Sequence, residues 1–452
     1  MEDEGIADML TTPERIRTLQ RKLYRKAKQE PAFRFYALYD KVCRADILSH
    51  AYNLVRSKRG SAGIDGVSFE DIEADEGLSA YLAELEEALK SKTYKPSPVK
   101  RVMIPKDDGS ERPLGIPTIR DRVAQMAVKL VVEPIFEADF CESSYGFRPK
   151  KSAHDAIDDI AYALNKGYTN VIDADLSKYF DTIPHDKLLT VVAERISDGE
   201  ILRLTKMWLK APVVEEGRDG KKRNVGGGKG NRKGTPQGGV ISPLLSNLYL
   251  HLLDRIWERQ HVEERLGARL VRYADDFVVL CKDGSQRPLE VAIRILERLE
   301  LTLNADKTGV VDALQESFDF LGFEMRMRQS RRTGNIYPHV QPSKKSLKKA
   351  KDRITVLTHR RMTPLPMDIL MDQVNKSLRG WTGYFHHLHC GKVFAQLKEH
   401  VHQRLCTHLR RRHKIRDREA GFIRFPRRVL YEKYGLYKVP TKAGWTNAQA
   451  LR

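Results

Sequence analysis

The stretch Leu270-Val271-Arg272-Tyr273-Ala274-Asp275-Asp276-Phe277-Val278-Val279-Leu280 sets two adjacent aspartates between two apolar runs. Apolar runs on both sides of a short polar turn are typical of a β-hairpin, so we predict that the aspartates lie at its tip. Carboxylates at the end of a rigid hairpin can hold Mg²⁺, which takes oxygen ligands. An Asp-Asp pair can equally be a solvated turn. The stretch alone leaves both interpretations open.

Strand and helix patterns mix on both sides of this hairpin, which favours an α+β fold. We predict strands at 99–104 and 112–116, forming a hairpin, a strand at 170–175 and a short hairpin at 318–323. Helices are predicted at 12–54, 78–89, 121–136, 200–209 and 288–299. The segment 215–233, rich in Gly, Lys and Arg, is predicted to be a mobile, exposed basic loop.

From Ser343 onward the strand patterns nearly vanish and basic helical patterns dominate. We therefore predict a domain boundary near residue 340. Residues 1–340 would form the first domain, with a basic helical N-terminal extension. Residues 341–452 would form a helical second domain with a basic tail.

The 452-residue chain carries a formal net charge of +20, and 41% of its residues are hydrophobic. A charge of this size favours polyphosphate partners, although an anionic membrane surface or a solvated lysine-rich exterior remains open on charge alone. The acidic start, Met1-Glu2-Asp3-Glu4, is unlike a secretory signal, and no apolar stretch approaches about 18 residues. We expect a soluble, cytoplasmic protein that uses no membrane. Its five scattered cysteines predict reduced thiols.

Phosphoryl transfer onto a sugar hydroxyl uses two divalent cations about 4 Å apart, held by converging carboxylates. Asp275 and Asp276 supply one pair. A third carboxylate could come from the end of the strand at 171–175. There the two-residue alternation puts Asp173 and Asp175 on one face, and the pattern alone does not choose between them.

Six further motifs accompany the Tyr-Ala-Asp-Asp turn in a definite order along the chain. They are RPLGIP (112–117), SYGFRP (144–149), DADLSKYFD (173–181), GTPQGGVISP (234–243), LNADKT (303–308) and FLGF (320–323). This ordered set closely resembles the reverse transcriptases encoded by bacterial group II introns. Two later motifs, LRGWTGYF (378–385) and YGLY (434–437), look like the core and the closing motif of that family's maturase domain. The resemblance covers nearly the whole chain.

The resemblance implies a right-hand polymerase with fingers and palm, followed by an α-helical thumb and maturase domain. It implies an RNA-directed DNA polymerase that uses two Mg²⁺ ions, an RNA template with a DNA primer, and deoxynucleoside triphosphates. The basic surface would bind group II intron RNA, assist its splicing and support its retrohoming into target DNA. Salt-sensitive binding to RNA phosphates is consistent with the high positive charge.

Similarity assigns the metal ligands and catalytic residues to Asp175, Asp275 and Asp276, with Asp173 in a supporting role. It also assigns Phe180 to the position that crowds a ribose 2′-hydroxyl. Lys106 and Arg112 would grip the triphosphate, and Gln237 would lie near the templating base pair. Lys307 would lie near the reacting phosphates and help to protonate the leaving pyrophosphate. For the last four, a solvated cation or an ordinary loop amide remains the alternative.

Further expectations concern what the chain lacks and what else it could be. Many relatives continue into an endonuclease domain of the HNH type, whereas this chain stops soon after the maturase motif, so we expect no endonuclease and a primer supplied from elsewhere.

A cluster of histidines and cysteines in the second domain is interpreted as packing or phosphate-contacting residues, with a zinc site as the disfavoured alternative. They are His386, His387, His389, Cys390, His400, His402 and Cys406. A polymerase domesticated for repair or antiphage defence and a splicing-only maturase stay as alternatives.

Overall fold

In the described residues, three β-sheets carry the strands, and helices pack on and between them. The computed structural model describes residues 11–74, 77–105, 109, 111–217 and 221–444. The strands, β1 to β11, are Val99–Pro105, Glu111–Ile116, Asn170–Ala174, Val213–Glu216, Lys222–Gly226, Ala268–Tyr273, Asp276–Cys281, Gly309–Asp312, Phe318–Phe320, Phe323–Gln329 and Ile336–Pro342.

The helices of the described residues are numbered α1 to α18. They are Glu14–Gln29, Tyr39–Val42, Ala45–Arg56, Phe69–Glu73, Gly77–Lys90, Ile119–Glu137, Ala153–Asn165, Tyr179–Thr182, His185–Arg195, Gly199–Leu209, Ser242–Arg259, Val262–Leu266, Gln286–Arg298, Lys344–Leu357, Met367–Phe385, Gly391–Arg412, Arg418–Arg424 and Arg427–Glu432. The strands and helices predicted from the sequence are all present, with ends shifted by a few residues.

The first sheet has the order β2-β1-β4-β5 and contains the predicted hairpin of β1 and β2. Helix α6 follows this hairpin. The Thr118 side chain begins the helix by accepting a hydrogen bond from the backbone N–H of Asp121 at 3.2 Å. Lys106, one of the predicted triphosphate contacts, lies outside the described residues.

The prediction of a mobile loop at 215–233 is wrong for much of this segment. Glu215 and Glu216 belong to β4, which runs parallel to β1, and Lys222–Gly226 forms the antiparallel edge strand β5. Every residue of β5 is exposed, so the strand has no apolar alternation to reveal it in the sequence. Backbone pairing and an ion pair between Arg101 and Glu215 at 2.7 Å attach this edge to β1.

The second sheet, in the order β6-β7-β3-β8, separates two apolar cores. Along β7, Phe277 and Val279 face the first core, whereas Val278 and Leu280 face the second. Alternate residues of a strand point to opposite faces, and both faces of this sheet are covered. This explains why the arms of the hairpin are continuous apolar runs.

The second core runs across the predicted boundary near residue 340. It combines α7 with the sheet β11-β10-β9 and with helices α14 to α18. The switch from strands to helices occurs between Pro342 and Lys344, as predicted. The division into two domains at this position stays a prediction, because the apolar packing is continuous there.

No helix in the described part of the chain is both long and apolar enough to cross a membrane.

Candidate active site

The Tyr-Ala-Asp-Asp turn closes the hairpin of β6 and β7, as predicted. Tyr273 pairs with Asp276, and Ala274 adopts the left-handed region with φ 59°. On the other side of β7, Ala174 of β3 pairs with Phe277. Because β3 runs antiparallel to β7, Asp175 leaves its strand at the edge where the turn lies. The register of three strands therefore brings the predicted carboxylates to one edge of the sheet.

Burial and carboxylate repulsion both raise pKa values at this edge. The pKa of Asp276 is raised to about 6, first by burial and then by the charges of Asp275, Asp175 and Asp173. Burial and the charge of Asp175 likewise raise the pKa of Asp173 to about 6. Burial raises the pKa of Asp275, although the guanidinium of Arg112 opposes this shift.

An excess of negative charge on hard oxygen donors is an environment that a divalent cation stabilises. The donor chemistry of Asp175, Asp275 and Asp276 therefore fits Mg²⁺. Within the described ranges, no three or more His, Cys, Asp or Glu side chains stand close enough together to hold a metal ion. The fit consequently rests on donor type and charge.

Two residues of the LNADKT motif reach Asp175 from the adjacent segment. The backbone N–H of Asn304 donates to the Asp175 carbonyl at 2.8 Å, and Lys307 Nζ donates to Asp175 Oδ2 at 3.0 Å. An isolated β-bridge between Leu176 and Leu303 fastens the two segments together. Lys307 thus lies beside a predicted metal ligand, and its role at the reacting phosphates stays a prediction.

Arg112 and Gln237 come from motifs more than a hundred residues apart and form a direct contact. Arg112 Nε donates to Gln237 Oε1 at 2.9 Å, and the Gly115 N–H donates to the Gln237 carbonyl at 2.6 Å. Gly238 has φ 107°, and a Cβ there would lie 2.2 Å from the Gly115 carbonyl oxygen. Only glycine permits this approach of the two loops.

Phe180 lies in α8, directly after the segment that carries Asp175. Its side chain is 9% exposed. The Phe180 carbonyl accepts the Thr235 N–H at 2.7 Å, and the Gly234 N–H donates to the Ile183 carbonyl at 2.8 Å. The GTPQGG motif therefore fixes the backbone at Phe180, and its own Gln237 contacts Arg112.

A buried ion pair behind the turn was missed by the sequence analysis. Arg272 donates from Nε to Asp254 Oδ1 at 2.9 Å, and both side chains are 0% exposed. Arg272 Nη1 also donates to the Ala274 carbonyl at 2.9 Å and to Asn247 Oδ1 at 3.1 Å. A Cβ on Gly146 would lie 2.3 Å from Ala274 N, so the SYGFRP motif packs on the same turn. The available signal was an arginine at a position of β6 where its neighbours Leu270 and Val271 are apolar.

The histidines and cysteines of the helical part after residue 343 make packing and hydrogen-bond contacts at separate places. His387 Nε2 lies 2.7 Å from Asp158 Oδ1, and its ring stacks on His154 with centroids 4.5 Å apart. His402 Nε2 lies 3.4 Å from the Phe425 carbonyl oxygen, and Cys406 is buried. These contacts join the helical part to α7 and to its own C-terminal helices.

Comparison with known proteins gives two family matches that follow each other along the chain. Residues 104–325 match the family described as reverse transcriptase (RNA-dependent DNA polymerase). Residues 347–422 match the family described as group II intron, maturase-specific domain.

Relatives over long alignments agree with these matches. Protein YkfC of Escherichia coli is 36% identical over 355 residues, which cover 70% of this chain and 90% of that protein. The group II intron-encoded protein LtrA of Lactococcus lactis is 30% identical over 368 residues. The chain belongs to the group II intron reverse transcriptase and maturase family. The resemblance stated from the motifs is thereby confirmed.

As a member of the group II intron family, the chain belongs to the enzyme class of RNA-directed DNA polymerases. The first match begins in β1 and ends in β10, so it contains all seven polymerase motifs. The second match begins within α14 and contains α15 and α16, and with them the LRGWTGYF motif in α15. The aligned region spans 59% of the length of LtrA.

Proposed function

We propose that this chain copies RNA into DNA at the edge of the second sheet, with Asp175, Asp275 and Asp276 as its catalytic carboxylates. The observation that carries the proposal is the register of β3, β7 and β6, which sets these three residues at one sheet edge. The RNA template, the DNA primer and the deoxynucleoside triphosphates are the substrates that follow.

Two Mg²⁺ ions, when bound, would activate the primer 3′-hydroxyl and neutralise the charge that develops on the leaving pyrophosphate. Asp175, Asp275 and Asp276 supply the oxygen ligands. Lys307, whose ammonium group already lies at Asp175, would donate a proton to the pyrophosphate.

The neighbouring residues position the incoming nucleotide. Gln237 holds Nε of Arg112, so the remaining guanidinium nitrogens have a fixed direction in which to bind the triphosphate. Phe180 is buried and held by the Thr235 N–H, so it cannot move aside easily for a 2′-hydroxyl. This arrangement would favour deoxynucleotides.

Primer extension on an RNA template with Mg²⁺ tests the proposal. We expect Asp276→Asn to lose nearly all extension, because the substitution keeps the shape but removes a ligand charge. Asp283→Asn is the matched control, since Asp283 is exposed in the loop after β7. The proposal fails if the wild type makes no DNA, or if Asp276→Asn extends as fast as the control.

We further propose that the helical part binds group II intron RNA and assists its splicing and its insertion into target DNA. Helix α14 buries Leu347, Ala350 and Ile354 on one side and exposes a row of cations on the other. They are Lys344, Lys345, Lys348, Lys349 and Arg353. A solvated cationic row of this kind suits a phosphate backbone.

Point substitutions test this better than truncation near residue 340, because a truncation would open the second apolar core. The triple change of Lys344, Lys348 and Arg353 to Gln should weaken binding to a folded group II intron transcript and make it less salt-sensitive. A triple change of Arg287, Arg294 and Arg298 to Gln, on the exposed side of α13, is the control with the same loss of charge. Equal binding by both triple variants would contradict the assignment.

A further inference from the structure

A cationic cleft of about 750 Å³ lies between the β10–β11 hairpin and the start of α16. Its charged lining consists of Arg326, Arg328, Arg331, Arg332 and Lys392, and no acidic residue lines it. Tyr337 adds an aromatic ring. We call this feature the hairpin cleft.

The strand register explains how the hairpin cleft forms. In β10, Met325 and Met327 point into the second core, so the alternate residues Arg326 and Arg328 point to the other face. Arg328 pairs with Tyr337 across the hairpin. Arg331 and Arg332 follow in the turn, and Lys392 is the second residue of α16.

The positive charge of the hairpin cleft is not neutralised within the described part of the chain. None of its five cations forms an ion pair there with an acidic side chain, and Arg326 Nε is buried without a hydrogen-bond partner. The acid nearest along the same face of β10, Glu324, accepts a hydrogen bond from Gln341 Nε2 at 2.9 Å.

The buried imidazole of His339 reports how closely these charges converge. Burial lowers the pKa of His339. The charges of Arg328 and Lys392, which come from different elements, lower it further, and the Gln341 hydrogen bond and the charge of Glu324 oppose this shift. Several cations held this close repel one another, and a polyanion relieves that repulsion.

We propose that the hairpin cleft binds backbone phosphates of the RNA held by the maturase part, at a site separate from the polymerase centre. The inference rests on the proposed RNA binding. Arginine forks match phosphate oxygens, and Tyr337 offers a surface on which an unpaired base can stack.

The position of the hairpin cleft supports RNA as its ligand. The segment from Arg326 to Tyr337 lies between the two family matches, and Lys392 lies inside the maturase-specific one, so the cleft joins the polymerase and maturase parts. Arg326, the first residue of β10 that lines the cleft, lies three residues or roughly 10 Å along the strand from Phe323, and the lining extends from there toward Gln329, away from the FLGF turn.

The test is a triple change of Arg331, Arg332 and Lys392 to Gln, all of them exposed residues in the full-length protein. Binding to a folded group II intron transcript is measured as a function of KCl concentration. Loss of three phosphate contacts should reduce the slope of log K against log salt by about 2 and weaken binding on the order of 10²-fold at 0.15 M salt. Changing Arg331 and Arg332 to Lys should restore most of the binding.

Two controls separate this inference from the proposed function. The α13 triple variant loses the same charge and should bind like the wild type. Primer extension on a short oligonucleotide template should be unchanged in the cleft variant. A wild type that does not bind the transcript refutes the RNA-binding function itself, and the cleft with it.

Three outcomes would overturn the inference while leaving the proposed function in place. The cleft variant could bind RNA with the affinity and slope of the wild type. It could lose no more affinity than the α13 variant. It could lose binding to single-stranded DNA of the same sequence and keep its binding to RNA, which would assign the cleft to DNA.

Discussion

Replacing Arg272 with Met should destabilise the fold and slow catalysis by separable amounts. The substitution removes one partner of a fully buried ion pair and leaves Asp254 charged and unpaired. Such a loss costs about 3–5 kcal/mol. We therefore expect the free energy of unfolding to fall by that amount in urea denaturation at pH 7.

A second substitution separates the ion pair from its positioning role. The double variant Arg272→Met with Asp254→Leu lacks both charges of this buried pair. The loss of unfolding free energy should therefore shrink to about 1–3 kcal/mol, which is the cost of leaving polar groups unpaired. The Ala274 carbonyl and Asn247 Oδ1 still lack their donor. Since the Ala274 carbonyl belongs to the turn that carries the proposed catalytic residues Asp275 and Asp276, we expect the primer-extension rate to stay reduced by about 10²-fold.

Arg269→Met is the matched control on the same strand. Arg269 is partly exposed and pairs with Asp159 at 2.7 Å and Glu263 at 2.9 Å, so its loss should cost only about 1 kcal/mol. The proposed role of the buried ion pair is refuted if Arg272→Met lowers the free energy of unfolding no more than Arg269→Met does. It is also refuted if the double variant is no more stable than Arg272→Met, or if the double variant extends primers at the wild-type rate.

Three other predictions concern specificity, loop contact and pH. Phe180→Val should raise ribonucleotide incorporation at least tenfold relative to deoxynucleotides in primer extension with mixed triphosphates, because the smaller side chain leaves space at the sugar; unchanged selectivity would contradict the assignment. Gly238→Ala should raise the KM for triphosphates, since the added Cβ would collide with the Gly115 carbonyl and displace the loop that holds Arg112; an unaltered KM would show that the loops can separate freely. Burial lowers the pKa of His251 to about 4. Between pH 6.5 and 4 the imidazole is therefore protonated in the unfolded chain but not in the folded one, so the free energy of unfolding should fall by roughly 3 kcal/mol as the pH drops through this range. His251→Gln should flatten that part of the profile of unfolding free energy against pH, and an equally steep profile would exclude His251 as its cause.

Local patterns were sufficient for most of the fold. The hairpin of β6 and β7 was predicted because both of its faces are buried, which makes its arms apolar. The helical part that begins with α14 was predicted from its basic helical pattern. The edge strand β5 was not, because both of its faces are exposed and backbone pairing alone defines it.

The candidate site likewise combines residues that local motifs reveal with contacts that they do not reveal. Motif order in the sequence identified Asp175, Asp275, Asp276, Arg112 and Gln237 as members of one family pattern. The sequence contains no information on the contact between Arg112 and Gln237, because 125 residues separate them. Arg272 was missed because one charged residue in a strand does not reveal its partner, which lies on a helix.

The sequence by itself determined the family, the order of the elements and the residue types at the sheet edge that carries Asp175, Asp275 and Asp276, because these depend on local periodicity and on motifs that are contiguous in the chain. Only the tertiary structure decided which residues support the turn, how the 215–233 segment is paired, and where the cations of β10 and α16 converge. Those features depend on contacts between residues distant in the chain, and such contacts follow from strand register and helix packing rather than from any local pattern.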